Sequence, residues 1–399
     1  MPETRIGWLA PDGQGVGPTD GAGFVRVRGS VPGDLVAYTQ VSQKGREATG
    51  TLDAVVAPSP DRVTPECAWD AQCGGCDLAA FAGGARRASL ARMVGFAIQS
   101  KAPIPVVASP RQVAHRARVS LTIDGARLGY HASRSHELVE PDLCRIARPE
   151  VQAAWTHLRA WLAEHGPAPF KSVEIRSDGS RAVFAFSDRS QGPMPSKAAW
   201  AALGDVALDG KAAHGDPTLR LSVAGLSLRA SASTFYQVNL ETNALLVDHV
   251  VAKVREAKAE RVLDLYTGIG NLALPIAASG VPVVAVERDG AAIHDLKTTA
   301  AEAGLKNIEA LAIAAERFDP SRTAFDVAVL DPPRAGAGEV LGRVLRNRPR
   351  RLIYLSCNIQ ETARDLRAYA QGYKLVDVTC FELFPDTHHI ETVLVLDRV

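Results

Sequence analysis

The chain has 399 residues, 46% of them hydrophobic and 22% charged, with a formal net charge of +1. Such a length calls for about two or three domains, and the composition excludes a fibrous or disordered chain. The balanced charge excludes a uniformly basic surface but leaves room for local patches, such as the arginines of 111–118 and 343–351.

Residues 1–11 lack the basic-then-apolar layout of a signal peptide, and no apolar run reaches the ~18 residues of a membrane helix. A cytoplasmic chain is therefore expected. Residues 1–60 read as short β-branched strands at 24–27, 35–41 and 48–56, punctuated by Gly13, Gly15, Gly17, Gly21 and Gly23. That pattern predicts a small OB-like β-barrel, closed off by a linker containing Pro58 and Pro60. Residues 61–230 read as a mixed α+β domain, with helical spacing over 81–100 and 151–165.

From 231 to 399 the pattern turns regular. Strands are predicted at 262–266, 281–286, 325–330 and 351–355, separated by helices, which gives an α/β parallel sheet. Two last strands, 375–382 and 391–396, are joined by a short polar loop. An antiparallel end of this kind makes a Rossmann-like class I methyltransferase sheet.

Gly268-Ile-Gly270-Asn271-Leu-Ala273 follows the first of these strands, and Glu287 ends the next. Glycines let a backbone approach a nucleotide-type ligand, and a carboxylate about 20 residues on accepts from ribose hydroxyls. This alone leaves NAD and S-adenosylmethionine open. Asp331-Pro332-Pro333-Arg334 then ends a strand where ligands of such sheets bind. Amino-directed nucleic-acid methyltransferases keep an aromatic residue after the two prolines. The guanidinium of Arg334 suits instead an enolate oxygen developing on a pyrimidine ring.

Cys357 follows the strand 351–355. By position alone it reads equally as a small buried hydrophobe. Carbon 5 of uridine gives it another use, because that carbon is too weak a nucleophile to take a methyl group unaided. A thiolate adding to carbon 6 makes carbon 5 an enolate carbon, and a base must later remove its proton. Glu391, in His389-Ile390-Glu391, is the candidate base; Cys380 reads as core.

Together these motifs resemble the RNA 5-methyluridine methyltransferases, the TrmA/RumA-like family, over nearly the whole chain. The resemblance rests on Cys67, Cys73, Cys76 and Cys144; Phe235-Tyr-Gln237-Val-Asn239; Asp264-Leu-Tyr266 with its glycine turn; Asp331-Pro-Pro-Arg334; Ser356-Cys357-Asn358; and His389-Ile-Glu391. It implies Cys357 as nucleophile, Glu391 as proton acceptor, and Gln237, Tyr266, Asn271, Glu287 and Asp331 as contacts to S-adenosylmethionine. It also makes residues 1–60 a TRAM-like RNA-binding domain, as in the 23S ribosomal-RNA branch. Ile359 departs from the family, which usually has proline after Cys-Asn.

Cys67-x5-Cys73-x2-Cys76 with remote Cys144 is a three-plus-one set, unlike the paired knuckles of zinc ribbons. It fits a 4Fe–4S cluster in the central domain better, in a structural or RNA-positioning role. The expectation is thus a monomeric enzyme methylating a uridine of RNA, rRNA ahead of tRNA. A catalytically silent iron–sulfur RNA-binding protein is the non-enzyme alternative. An NAD oxidoreductase accounts for the glycine turn, but not for Cys357 with Glu391.

Overall fold

A computed structural model describes residues 1–21, 23–132, 135–166 and 169–399. The chain divides into two compact units, Met1–Ala108 with Thr379–Glu391, and Ser109–Val378 with Thr392–Val399.

The first unit opens with strands β1 (Glu3–Arg5), β2 (Trp8–Leu9), β3 (Gly15–Pro18), β4 (Phe24–Val27), β5 (Leu35–Lys44) and β6 (Glu47–Ala57). They form one sheet in the order β1-β5-β6-β4-β3-β2. Alternation puts Val25, Val27, Val36, Tyr38 and Ala48 on the inner face with Ile6. The sheet curls until Thr4 Oγ1 donates to the carbonyl of Pro18 at 2.7 Å. The expected OB-like barrel is nevertheless not closed: among the described residues no ladder joins β1 to β2. The two edge strands are three and two residues long, too short to add a closing ladder. Helix α1 (Gly83–Ala97) follows, burying Leu90, Ala91 and Val94 together with Arg86. Strand β7 (Val106–Val107) ends this stretch.

The second unit begins with a seven-stranded sheet. Its strands are β8 (Arg118–Asp124), β9 (Arg127–His131), β10 (Leu138–Val139), β11 (Phe170–Ser177), β12 (Ala182–Arg189), β13 (Val206–Leu208) and β14 (Lys211–His214). Helices α2 (Pro149–His165) and α3 (Lys197–Leu203) belong to the same layer pair. Trp155, Leu158, Trp161 and Leu162 of α2 share one core with Val173, Ile175, Phe184 and Phe186 of the sheet and Trp200 of α3. A two-stranded ribbon, β15 (Leu219–Val223) and β16 (Leu226–Ala230), comes next.

Helix α4 (Leu240–Glu256) starts where Asn239 accepts from the Thr242 amide, and Lys253 and Arg255 in its last turn complement the helix dipole. The elements that follow alternate: β17 (Val262–Leu265), α5 (Ala273–Ala278), β18 (Val283–Glu287), α6 (Gly290–Glu302), β19 (Ile308–Ala312), β20 (Val327–Leu330), α7 (Glu339–Arg346), β21 (Arg351–Ser356), α8 (Ile359–Tyr369), β22 (Tyr373–Phe381) and β23 (Glu391–Arg398). They build a sheet of order β19-β18-β17-β20-β21-β23-β22. Strands β17 and β20 are buried on both faces, as strands inside a parallel sheet must be. β21 pairs with β23 antiparallel, from Arg351↔Asp397 to Ser356↔Thr392, which is the expected antiparallel end. Strand order reverses between β17 and β20, leaving a crevice at their carboxyl ends. The last residues of β22 enter the first unit, where Cys380 and Phe381 pair with Val106 and Val107. Cys380 is fully buried, as a core cysteine should be.

Candidate active site

The turn after β17 is built from short-range bonds. Tyr266, Gly268 and Gly270 all adopt positive φ, at +63°, +55° and +89°. For Tyr266 that conformation is strained and must be held by its surroundings. Thr267 Oγ1 donates to Asp264 Oδ2 at 2.5 Å, and the Gly268 amide donates to Glu287 Oε2 at 3.2 Å. A side chain at Gly270 would lie 2.8 Å from Leu274 and 2.9 Å from Leu296, so the residue is glycine for packing as well as for its φ.

A pocket opens over this turn. Gln237, Asn243, Tyr266, Gly268, Asn271 and Asp331 are among its lining residues. It thus brings together five of the seven candidate donor contacts. Gly270 and Glu287 are not among its lining residues; Glu287 stands at the end of β18, where it also accepts from the Asp289 amide at 2.9 Å. Asn271 and Asn243 exchange side-chain hydrogen bonds, Asn243 donating at 2.8 Å and Asn271 at 2.9 Å. Each amide thereby satisfies one donor and one acceptor of the other.

The carboxyls around this turn are held in unusual states. Burial pushes the Asp264 carboxyl up to about 7, and the neighbouring Asp331 and Glu287 push the same way. Its second oxygen, Oδ1, has no hydrogen-bond partner among the described residues. Burial raises Asp331 as well. Carboxyls so raised disfavour negative charge and would be relieved by a cation bound beside them. Burial also lifts the Tyr266 phenol to about 12, so its hydroxyl keeps its proton at neutral pH.

The segment before α4 is clamped from two sides. Buried Arg176 donates to the carbonyls of Ala232 and Thr234, and its guanidinium lies 5.1 Å from the Tyr236 ring. Buried Asp295 accepts from the Ser231 amide at 2.7 Å, Ser231 Oγ at 2.6 Å, Thr234 Oγ1 at 3.1 Å and Arg229 Nε at 2.9 Å. These contacts set the backbone that carries Gln237. Sequence reasoning missed Asn243, Arg176 and Asp295. Asn243 alone left a signal, as a polar residue on the buried face of α4.

Arg334 and Cys357 stand at the ends of the neighbouring strands. Arg334 is exposed, and its carbonyl accepts from Asn358 Nδ2 at 3.0 Å, tying the loop after β20 to the one after β21. Cys357 is partly exposed and immediately precedes Asn358, the cap of α8. Helix α8 starts at Ile359, with Thr362 Oγ1 bonding Ser356 Oγ at 2.6 Å. Glu391 is buried and belongs to the first unit, as its last residue. Cys67, Cys73 and Cys76 also lie in the first unit, and Cys144 in the second; all four are partly exposed. Among the described residues no group of three or more His, Cys, Asp or Glu is arranged to hold a metal ion.

A doubly wound sheet with an antiparallel end, and a glycine turn at its switch point, define a methyltransferase fold. The comparisons narrow it. Residues 216–399 match the family model for tRNA (uracil-5-)-methyltransferase. The 23S rRNA (uracil(1939)-C(5))-methyltransferase RlmD of Pectobacterium atrosepticum is 30% identical, over 96% of this chain and 91% of its own. RlmD of Chromohalobacter salexigens is 31% identical, over 98% and 88%. The crystal structure of Pyrococcus abyssi tRNA (uracil-54, C5)-methyltransferase, in complex with S-adenosyl-L-homocysteine, shares the fold with a TM-score of 0.83, covering 99% of this chain and 100% of that one at 21% identity. The chain belongs to the RNA (uracil-5-)-methyltransferase family.

Proposed function

We propose that this enzyme methylates carbon 5 of a specific uridine in 23S ribosomal RNA, with S-adenosylmethionine as donor. The observation that carries the residue assignment is the register of β21 with β23. Ser356 and Thr392 form the last rung; Cys357 is the next residue on one strand and Glu391 the preceding residue on the other.

In the proposed reaction the Cys357 thiolate forms a bond to carbon 6, and the ring electrons move onto the carbon 4 oxygen as an enolate. Arg334 is the candidate to stabilise that charge. Carbon 5 then attacks the sulfonium methyl group, and S-adenosylhomocysteine leaves. The Glu391 carboxylate takes the carbon 5 proton, the double bond re-forms, and the thiolate is expelled. Gln237, Tyr266, Asn271, Glu287 and Asp331 are assigned to the donor, whose positive charge beside Asp331 would offset the cost of ionising that buried carboxyl.

On the chemistry of the three-plus-one thiol pattern alone, Cys67, Cys73, Cys76 and Cys144 are assigned to a 4Fe–4S cluster, although among the described residues no group of three or more is arranged to hold a metal ion. Its part is to position chain and RNA, and no step of methyl transfer runs through it. The N-terminal sheet, residues 1–60, is assigned a TRAM-like role in holding RNA. Incubation with labelled donor and separate pools of unmethylated rRNA and tRNA tests the function. Label in rRNA is expected; label only in tRNA overturns the substrate, and label in neither overturns the reaction. Anaerobic purification should give brown protein with about four irons per chain.

A further inference from the structure

A polar cluster within the first unit ties the segment before Glu391 to the segment after the cysteines. The Leu78 amide donates to the Asp386 carbonyl at 2.9 Å. Asp77 Oδ1 accepts the His388 amide at 3.1 Å, and Asp77 Oδ2 lies 2.5 Å from His388 Nδ1. Arg86, only 2% exposed, donates to Asp386 Oδ1 at 2.7 Å and to Glu382 Oε1 at 3.1 Å. Arg87 reaches Glu382 Oε2 at 3.1 Å. Gly13, at φ +80°, closes over the pair: a side chain there would meet Asp77 Oδ2 at 2.6 Å and His388 Cβ at 2.8 Å.

The positions in sequence give this cluster its meaning. Asp77 is the residue after Cys76, and His388 lies three residues before Glu391. Asp77 grips both the backbone and the ring of His388, so only His389 and Ile390 separate a fixed point from the carboxylate. Two hydrogen bonds to one carboxylate, at least one of them to backbone, hold orientation as well as distance.

We propose that Asp77 and His388 are positioning residues, a latch through which the cysteine segment 67–76 sets the placement of Glu391. The latch predicts a defect confined to one step, removal of the carbon 5 proton. It rests on the assignment of Glu391 as the base.

The test uses full-length Asp77→Asn, His388→Ala, His388→Asn and Glu391→Gln, each with labelled donor and unmethylated rRNA in single turnover. Protein–RNA adduct is followed on denaturing gels, with iron content and thermal melting measured on the same samples. His388→Ala and Asp77→Asn should form adduct at the wild-type rate and resolve it on the order of 10–100-fold more slowly, the loss a misplaced catalytic group produces. His388→Asn, which keeps an N–H toward Asp77, should restore resolution, and iron content should not change. Should His388→Ala melt early, Asp77→Asn against His388→Asn carries the comparison. Wild-type resolution in these variants, or equal loss of adduct formation and resolution while Glu391→Gln still traps adduct, overturns the latch. Failure of Glu391→Gln to trap adduct overturns the base assignment itself, and the latch with it.

Discussion

The turn after β17 and the loop before β23 carry two separate sets of candidate residues, and they are held in opposite ways. Around the turn, Thr267 bonds a residue three positions away and Gly268 one nineteen positions away. Around the loop, Asp386 and His388 bond residues 300 and 311 positions away. A turn carrying its own braces is robust to change elsewhere in the chain. A loop braced from the other end of the sequence is exposed to it. The donor side should therefore survive damage that disables the proton-removing side.

The sharpest break of this comparison is at the nucleophile. Cys357→Ala should lower turnover by about 10⁴-fold or more and leave donor affinity, read by calorimetry, unchanged. Retained turnover would remove Cys357 from the mechanism. Glu391→Gln should cost roughly 10²–10⁴-fold, with adduct trapped on denaturing gels and donor affinity again unchanged. On the donor side, Asp295→Ala strips a buried acceptor from Ser231, Thr234 and Arg229. It should cost about 3 kcal/mol in denaturant unfolding and weaken donor binding, while adduct resolution stays normal. Gly270→Ala should cost about 1–3 kcal/mol, because its φ is left-handed and Leu274 and Leu296 leave no room.

A further effect is in pH dependence. The Asp264 carboxyl is raised from its ordinary 3.8 to about 7 in the folded chain. A raised acid costs nothing while protonated in both states, and its cost grows as pH climbs from the unfolded value to the folded one. Wild-type stability should fall across that window by on the order of 1–4 kcal/mol relative to Asp264→Asn, read by urea unfolding at pH 4 and pH 7.5. Parallel curves would mean that the carboxyl is not raised.

What could be read from the sequence follows the same division. The glycine turn, strands β17, β18, β20 and β21, and the antiparallel pair at the end announce themselves through local pattern, and the structure places them there. The pocket over the glycine turn gathers Gln237, Tyr266, Gly268, Asn271 and Asp331 because all sit close to strand or helix ends. The clamps Arg176 and Asp295 were not legible. A buried arginine in a strand and a buried aspartate in a helix look like surface residues until their partners are known. The closed barrel expected for residues 1–60 shows the converse. Strand pattern was right, but closure depends on the length of edge strands, which single-residue propensity does not encode.

The pairing of Arg86 with Asp386 also sets a timetable. The chain passes through the first unit, leaves it at Ala108, and returns to it only for Thr379–Glu391. During synthesis from the amino terminus, Arg86 and Asp77 emerge long before Glu382, Asp386 and His388, with which they pair. A buried arginine without its carboxylates is a standing penalty, so this unit cannot reach its final state until Thr379–Glu391 has been made. A truncation that removes the last twenty residues would then leave the oldest part of the protein as the part that fails to mature.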